Sequence, residues 1–473
     1  MLRSFVSNEN LSEVVSSSRK LPFVFIGVLG LLLAALLYLG IYLEYGPFVL
    51  AFLFAIPAAL IAIRYPRVWL YSIAVICSYF FAGREEGLSG IDVVLGAAIF
   101  GSLFSWFFWI LVIKKENLIK NLADVMISLF FILLIANFFV ALINNVDPLD
   151  WIRETIIVSI VLYYFPFRYY LKEKKEINTI LVMFALATLV VALLQLNEYR
   201  KAMSDVVYAY QLLKSVKQNQ TLFVAATSVG IAFFLYHRKI TLKIATLLFS
   251  GIALISLIST MSRTFWIILL FNLILIFFMV SQKDKLKMVL LTLTFSIIAI
   301  STVFIVFGDK ADIMITLLEN RLSSSTQGVK DPSVLARVYE YDEMLSRIAD
   351  NPIGGYGMNA SIRFFNPIEQ ETQTTSINHN GFFFLFFRVG IPMALLYILP
   401  LLYWTYRSFR YSIVIKDPYY KNLTIAFFSC LMLIIIANFP STQLDTRDAV
   451  FVTALAYAII ANVIEKYESK RIT

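Results

Sequence analysis

The chain has 473 residues, of which 60% are hydrophobic and only 15% charged, with a mean hydropathy of +0.79. A soluble domain is nearer half apolar and a quarter charged, so this composition excludes a cytosolic enzyme, a disordered protein and a disulfide-bonded secreted module. It describes an all-α polytopic membrane protein, and the 42 Phe and 25 Tyr suit surfaces that meet lipid and its interface.

A spanning helix needs ~20 mostly apolar residues. Fourteen stretches qualify in chain order, at 22–43, 47–63, 67–82, 91–113, 122–143, 152–170, 176–196, 219–236, 241–259, 263–281, 286–307, 380–404, 421–438 and 446–464. The second and third are short and separated by Arg64-Tyr65-Pro66-Arg67, so they can also form a re-entrant pair, leaving about 12–14 spans. The first apolar run lacks a small-residue cleavage site and is read as an uncleaved anchor. These spans divide the chain into a cytoplasmic tail at 1–20, an N-terminal transmembrane bundle of about eleven spans at 21–307, a long external loop at 308–379, C-terminal transmembrane helices at 380–464 and a second cytoplasmic tail at 465–473.

Charge orients these spans. With the N-terminus inside, most of the 40 basic residues fall in cytoplasmic connections such as Lys114-Lys115, Lys172 to Lys175, Arg238-Lys239 and Lys283 to Lys287. The positive-inside rule then places both termini in the cytoplasm. The net charge of +9 follows from this topology and implies no nucleic-acid partner, because no basic patch with stacking aromatics stands apart from the membrane flanks. Cys77 and Cys430 lie in apolar runs and read as small buried hydrophobes. With only His237 and His379 present, no His-based metal site is expected, and no cofactor motif occurs. A Walker loop is excluded because Gly354-Gly355-Tyr356-Gly357 lacks the following Lys-Ser/Thr.

The 308–379 connection differs from all the others in length and polarity. It shows no strong strand signal. Asp331-Pro332 supplies an N-cap and a first-turn proline. Val334, Val338, Tyr341, Leu345 and Ile348 then recur at spacings of three and four, predicting an amphipathic helix over 332–350 that Asn351-Pro352 stops. This helix is expected to lie on the outer membrane surface and cover something. A glycine cluster follows at 354–357 and permits close backbone approach.

Basic residues are scarce on the outer side, which makes each informative. Arg153 sits at the outer end of the sixth span, Arg263 opens the tenth, Arg337 lies on the loop helix, and His379 stands at the mouth of the twelfth. Guanidinium forks bind phosphate bidentately, and imidazole suits proton transfer near neutrality. Together they point to an anionic, lipid-linked substrate beside a general base. Other readings remain open: Arg153 and Arg263 can snorkel to headgroups, and Arg337 can pair with Asp342 or Glu343. Asp147, Asp150 and Glu154 read as an acidic outer loop. Arg388, about 13 Å deeper than His379 on a straight helix, either contacts a lipid phosphate or pairs with an acid.

Three stretches resemble the bacterial O-antigen ligase and O-antigen polymerase family. They are Ser259 to Trp266 around Arg263; Arg337 followed by Asn351-Pro352-Ile353-Gly354-Gly355-Tyr356-Gly357; and Asn378-His379-Asn380-Gly381 running through Arg388 to Pro392. Asn219-Gln220-Thr221 is similar to the family's polar opening of a mid-chain span. The resemblance implies a GT-C-like membrane glycosyltransferase of the bacterial inner membrane that uses no metal and no nucleotide sugar. Its donor would be an undecaprenyl-pyrophosphate-linked oligosaccharide and its acceptor lipid A–core or another lipid-linked repeat. By residue match, Arg263 and Arg337 would hold the donor pyrophosphate, and His379 would activate the acceptor hydroxyl or assist as acid/base. Arg153, Asn219, Asn378, Asn380 and Arg388 would supply further substrate contacts. Arg388 departs from the acid or small residue usual there. The competing class is a lipid-linked glycan flippase or transporter; such proteins show internal repeats and midplane ionisable sites, and no repeat is evident here.

Overall fold

A computed structural model of the chain describes residues 65–80, 90–204, 218–307, 319, 332–376 and 379–472. The N-terminal tail, the spans at 22–43 and 47–63, Asp331 and Asn378 lie outside the described residues. The chain divides into two units, Met1–Trp69 with Ser89–Val94, and Leu70–Leu88 with Leu95–Thr473. The second carries the candidate site residues.

The architecture is that of an all-α polytopic membrane protein. Among the described residues six helices are long and apolar enough to cross a membrane: Leu95–Ile113, Leu122–Ile143, Lys174–Lys201, Ile240–Ser259, Pro418–Ala437 and Arg447–Ser469. Pro66–Ile76, Gln220–Tyr236 and Arg263–Met279 are apolar but shorter. In full the helices are α1 (Pro66–Phe80), α2 (Gly90–Phe108, continued by a π turn at Trp109–Ile113), α3 (Leu122–Ile143), α4 (Pro148–Ser159), α5 (Tyr164–Tyr170), α6 (Lys174–Ser204), α7 (Gln220–Tyr236), α8 (Ile240–Ser259), α9 (Arg263–Met279), α10 (Gln282–Phe307), α11 (Pro332–Asp350), α12 (Gly381–Val389), α13 (Ile391–Val414), α14 (Pro418–Ala437) and α15 (Arg447–Ile472).

Local chemistry starts several of them. Asn121 caps α3 in a capping box with Asp124, while Asp147-Pro148 and Asp417-Pro418 open α4 and α14 with an Asx cap and a first-turn proline. Packing then sorts the helices by depth. The spanning windows of α14 and α15 are 78% and 94% buried, against 28% for α3 and 22% for α8. Outer helices leave residues such as Phe104, Ile143 and Phe278 exposed, an apolar exterior that only lipid stabilises.

α7 and α9 run antiparallel to α14. Asn272 of α9 donates to the Ser429 carbonyl (3.1 Å) and to Ser228 Oγ of α7 (3.4 Å), and Ile231, Ile276 and Ile425 share one core cluster. The starts of α7, α9, α12 and α15 and the end of α14 therefore gather at one end of the bundle. The Lys-rich connections after α2, α5, α7, α9 and α13 gather at the other.

Two expectations need correction. The predicted span 380–404 is not one straight helix, because Gly390 (φ +77°) breaks it into α12 and α13. The external loop also contains strands: β1 (Ile362–Asn366) pairs antiparallel with β2 (Glu371–Thr375). β1 buries Ile362 and Phe364, but β2, Glu-Thr-Gln-Thr-Thr, has no apolar face and offers no alternating signal.

The loop helix forms over the residues expected, with a different face inward. Met344 and Ile348 pack with Ala360, Ile362, Phe364 and Phe387, whereas Val338 and Leu345 are exposed. Docking against β1 and α12 selects this face, which also buries Glu340.

Candidate functional site

The turn between α14 and α15 is the hub of the site end. Asn438 Oδ1 accepts from the backbone N–H groups of Gln443 (2.9 Å) and Leu444 (3.2 Å). Its carbonyl accepts from Gly381 N–H (2.8 Å). A Cβ on Gly381 would come within 1.9 Å of Asn438 Oδ1, so only glycine lets α12 begin against this turn. Thr221 bonds Gln443, and the Leu222 N–H donates to Asp448 (3.0 Å), tying in the starts of α7 and α15.

α11 grips His379 from the other side. Glu340 Oε1 accepts the His379 backbone N–H and Oε2 pairs with Nδ1, each at 2.6 Å. Tyr341 donates to the carbonyl oxygens of Phe439 (3.2 Å) and His379 (3.4 Å). Burial, with Glu340 nearby, pushes the Tyr341 phenol up, so it remains a donor, although the Arg337 charge acts in the opposite sense. Arg337, Glu340, Tyr341, Met344 and Ile348 share one helical face. The apolar end of this stripe fills the loop core, and its charged end reaches the mouth of α12. The imidazole is 47% exposed and the Glu340 carboxylate 1% exposed. With Nδ1 committed to a carboxylate, Nε2 is the nitrogen available to a reactant.

Arg337 is half-buried and has no ion-pair partner among the described residues. The sequence alternatives for it were Asp342 and Glu343; Glu343 instead pairs with Arg347 at 2.9 Å. Asn380 N-caps α12, its Oδ1 accepting from Phe382 and Phe383 N–H (both 3.0 Å), so it orients the helix beside His379.

Arg388 is fully buried. It donates to Glu154 Oε1 (2.8 Å) and to the Ser376 carbonyl (2.6 Å), lies 3.9 Å from Asp445 and stacks over Phe384 at 3.6 Å. The acid-pairing alternative is the one realised, and Glu154 belongs to this pair rather than to a solvated outer loop. Arg388 lies in the last turn of the continuous α12, two residues before the break at Gly390. Arg153, beside Glu154, is 5% exposed and held within the protein, so it does not snorkel to headgroups.

The Asn351 to Gly357 turn clamps this break. Tyr356 and Gly357 N–H donate to the carbonyls of Phe387 (3.0 Å) and Arg388 (2.8 Å), and Ile391 N–H donates to Pro352 O (2.8 Å). Gly355, Gly357 and Gly390 have positive φ, and a Cβ on any of them would strike backbone within 2.6 Å. Asn137, inside α3, completes the clamp: it donates to Arg388 O (3.2 Å) and accepts from Met358 N–H (3.0 Å) and Trp151 Nε1 (3.2 Å). Sequence reading passed over Glu340 and Asn137. Each had a signal, a polar group within an apolar stripe or span.

Arg263 opens α9, and Asn219 is the N-cap of α7. Arg263 lies as many residues before Asn272 as Asn438 lies after Ser429, and Asn219 precedes Ser228 by the same interval. The antiparallel packing thus brings both to the level of Asn438. Both helices are entered through left-handed residues, Asn219 itself (φ +57°) and buried Met261 (φ +53°); such strain concentrates at working sites. His237 sits at the opposite end, closing α7 against Phe233 and Tyr236. Cys430 is buried, as expected, and the Cys77 side chain lies outside the described residues. Among the described residues no three His, Cys, Asp or Glu side chains converge to hold a metal ion.

No curated protein matches the chain. A family model described as O-antigen ligase matches residues 247–398, from within α8 into α13. That span contains all three motifs around Arg263, Arg337 and His379. Over those residues, about a third of the chain, the protein is similar to the O-antigen ligase family.

Proposed function

We propose that the protein transfers or polymerises a glycan carried on undecaprenyl pyrophosphate, at the outer face of the bacterial inner membrane. The observation that carries this reading is His379: its Nδ1 is committed to a buried carboxylate, its Nε2 is open, and a guanidinium without an ion-pair partner among the described residues shares the helix face that holds it. By the positive-inside rule the Lys-rich end of the bundle faces the cytoplasm, which turns the His379 end outward.

In this mechanism the acceptor hydroxyl attacks the anomeric carbon of the donor sugar. Its proton passes to His379 Nε2. The bond from that carbon to the pyrophosphate oxygen breaks, and the electron pair leaves with the polyprenyl pyrophosphate. Arg263 and Arg337 stabilise the departing charge as fixed donors. An apolar crevice of about 260 Å³ suits the polyprenyl chain; it is lined by Thr227, Leu254, Leu257, Trp266 and Leu270 among others. Trp266 places it one helical turn inside Arg263, a geometry that keeps the tail in lipid and the phosphates at the mouth.

The test is turnover of a purified lipid-linked repeat. His379→Ala is expected to lower transfer by about 10²–10⁴-fold, the usual contribution of a general base, while expression stays intact because the side chain is half exposed. Full turnover in that variant would remove the base.

A further inference from the structure

We propose that Glu340 is the positioning residue that sets the tautomer of His379, holding the proton on Nδ1 so that Nε2 presents its lone pair to the acceptor. The inference rests on the reading of His379 as the base. An ionised carboxylate only accepts hydrogen bonds. Glu340 spends one oxygen on the His379 backbone N–H and the other on Nδ1, so Nδ1 must carry the hydrogen. In free histidine the neutral ring prefers the proton on Nε2, which would turn an N–H toward the acceptor and leave no base there.

The carboxylate is well placed to impose this choice. It is 1% exposed, and a buried anion is stable only with its hydrogen bonds made. Rotating the ring away from Glu340 would strand that oxygen. The main chain of His379 is held as well, since Tyr341 of the next helical position donates to its carbonyl. One helix therefore grips residue 379 at its N–H, its C=O and its ring, leaving Nε2 as the one ring nitrogen outside the grip. Arg337, three residues before Glu340, projects from the same face. The element that orients the base thus also carries a candidate phosphate ligand, and the two are kept in register by one turn of helix.

The chain has only two histidines, which makes the ring directly observable. Full-length protein with ¹⁵N-labelled imidazole, in alkaline buffer where the rings are neutral, is expected to give an Nδ1–H, Nε2-lone-pair signal for His379. The His237→Asn variant removes the second set of peaks. A predominantly Nε2–H ring in the unmodified protein overturns the proposal without any variant. Glu340→Gln should shift the ring toward Nε2–H and lower kcat by about 10²-fold or more with donor KM little changed. Glu340→Asp, which retains the accepting group at shorter reach, should recover part of both. A purely structural Glu340 would instead cost thermal stability and leave the tautomer in place; that result in Glu340→Gln also overturns the proposal. If the Nδ1–H signal is present yet His379→Ala turns over normally, the positioning stands and the base reading fails.

Discussion

The two ends of the bundle use the same side chains differently. At the Lys-rich end, Arg168 pairs with Asp124 at 2.6 Å and with Glu465, and Arg407 pairs with Glu468 at 2.7 Å. These guanidinium groups are paired with carboxylates and join helices distant in the chain. At the other end Arg388 is paired in the same way with Glu154 and also donates to the Ser376 carbonyl, but Arg337 has no ion-pair partner among the described residues. The contrast teaches that an arginine at a membrane face is informative only once its partners are known. A fork paired with a carboxylate is a fastener, and one without an acid partner can receive a phosphate.

Substitution can break that distinction. Arg388→Met should have the largest effect on stability. It removes the guanidinium from the buried Glu154 carboxylate, a change expected to cost about 3–5 kcal/mol, read as a lower midpoint of thermal unfolding in detergent. Because Arg388 also holds the strand leading to His379, turnover should fall with stability. Lysine replacements should behave oppositely. Arg337→Lys and Arg263→Lys keep the charge and lose the fork, so transfer from a pyrophosphate donor should drop roughly tenfold with the unfolding midpoint unchanged. A stability loss in Arg337→Lys equal to that in Arg388→Met would erase the difference between fastener and ligand. Arg347→Ala sharpens the comparison from below. Its pair with Glu343 is solvent-exposed, and such i,i+4 pairs contribute about 0.3–0.5 kcal/mol, so neither midpoint nor turnover should move measurably.

Much of the fold was legible. The limits of α3 and α11 follow from an apolar run and from a proline start with an Asn-Pro stop. What escaped is informative in physical terms. The hairpin escaped because β2 is polar on both faces, its place being set by pairing to β1. The break at Gly390 escaped because Val389-Gly390-Ile391-Pro392 sits in an otherwise continuous apolar run, and hydropathy does not register a backbone turn. Glu340 escaped because an acid on an amphipathic helix looks solvated until its partner is known.

By itself, then, the amino-acid order determined the membrane class, the proline start and Asn-Pro stop of α11 and a short list of candidate cations, since these depend on local composition and on neighbours within a turn or two. Tertiary structure alone decided which of those cations is spent and which imidazole nitrogen is open. Glu154 meets Arg388 across 234 residues and Glu340 meets His379 across 39; contacts at such separations arise only when helices pack, because burial obliges each charge to find a partner that no local pattern names.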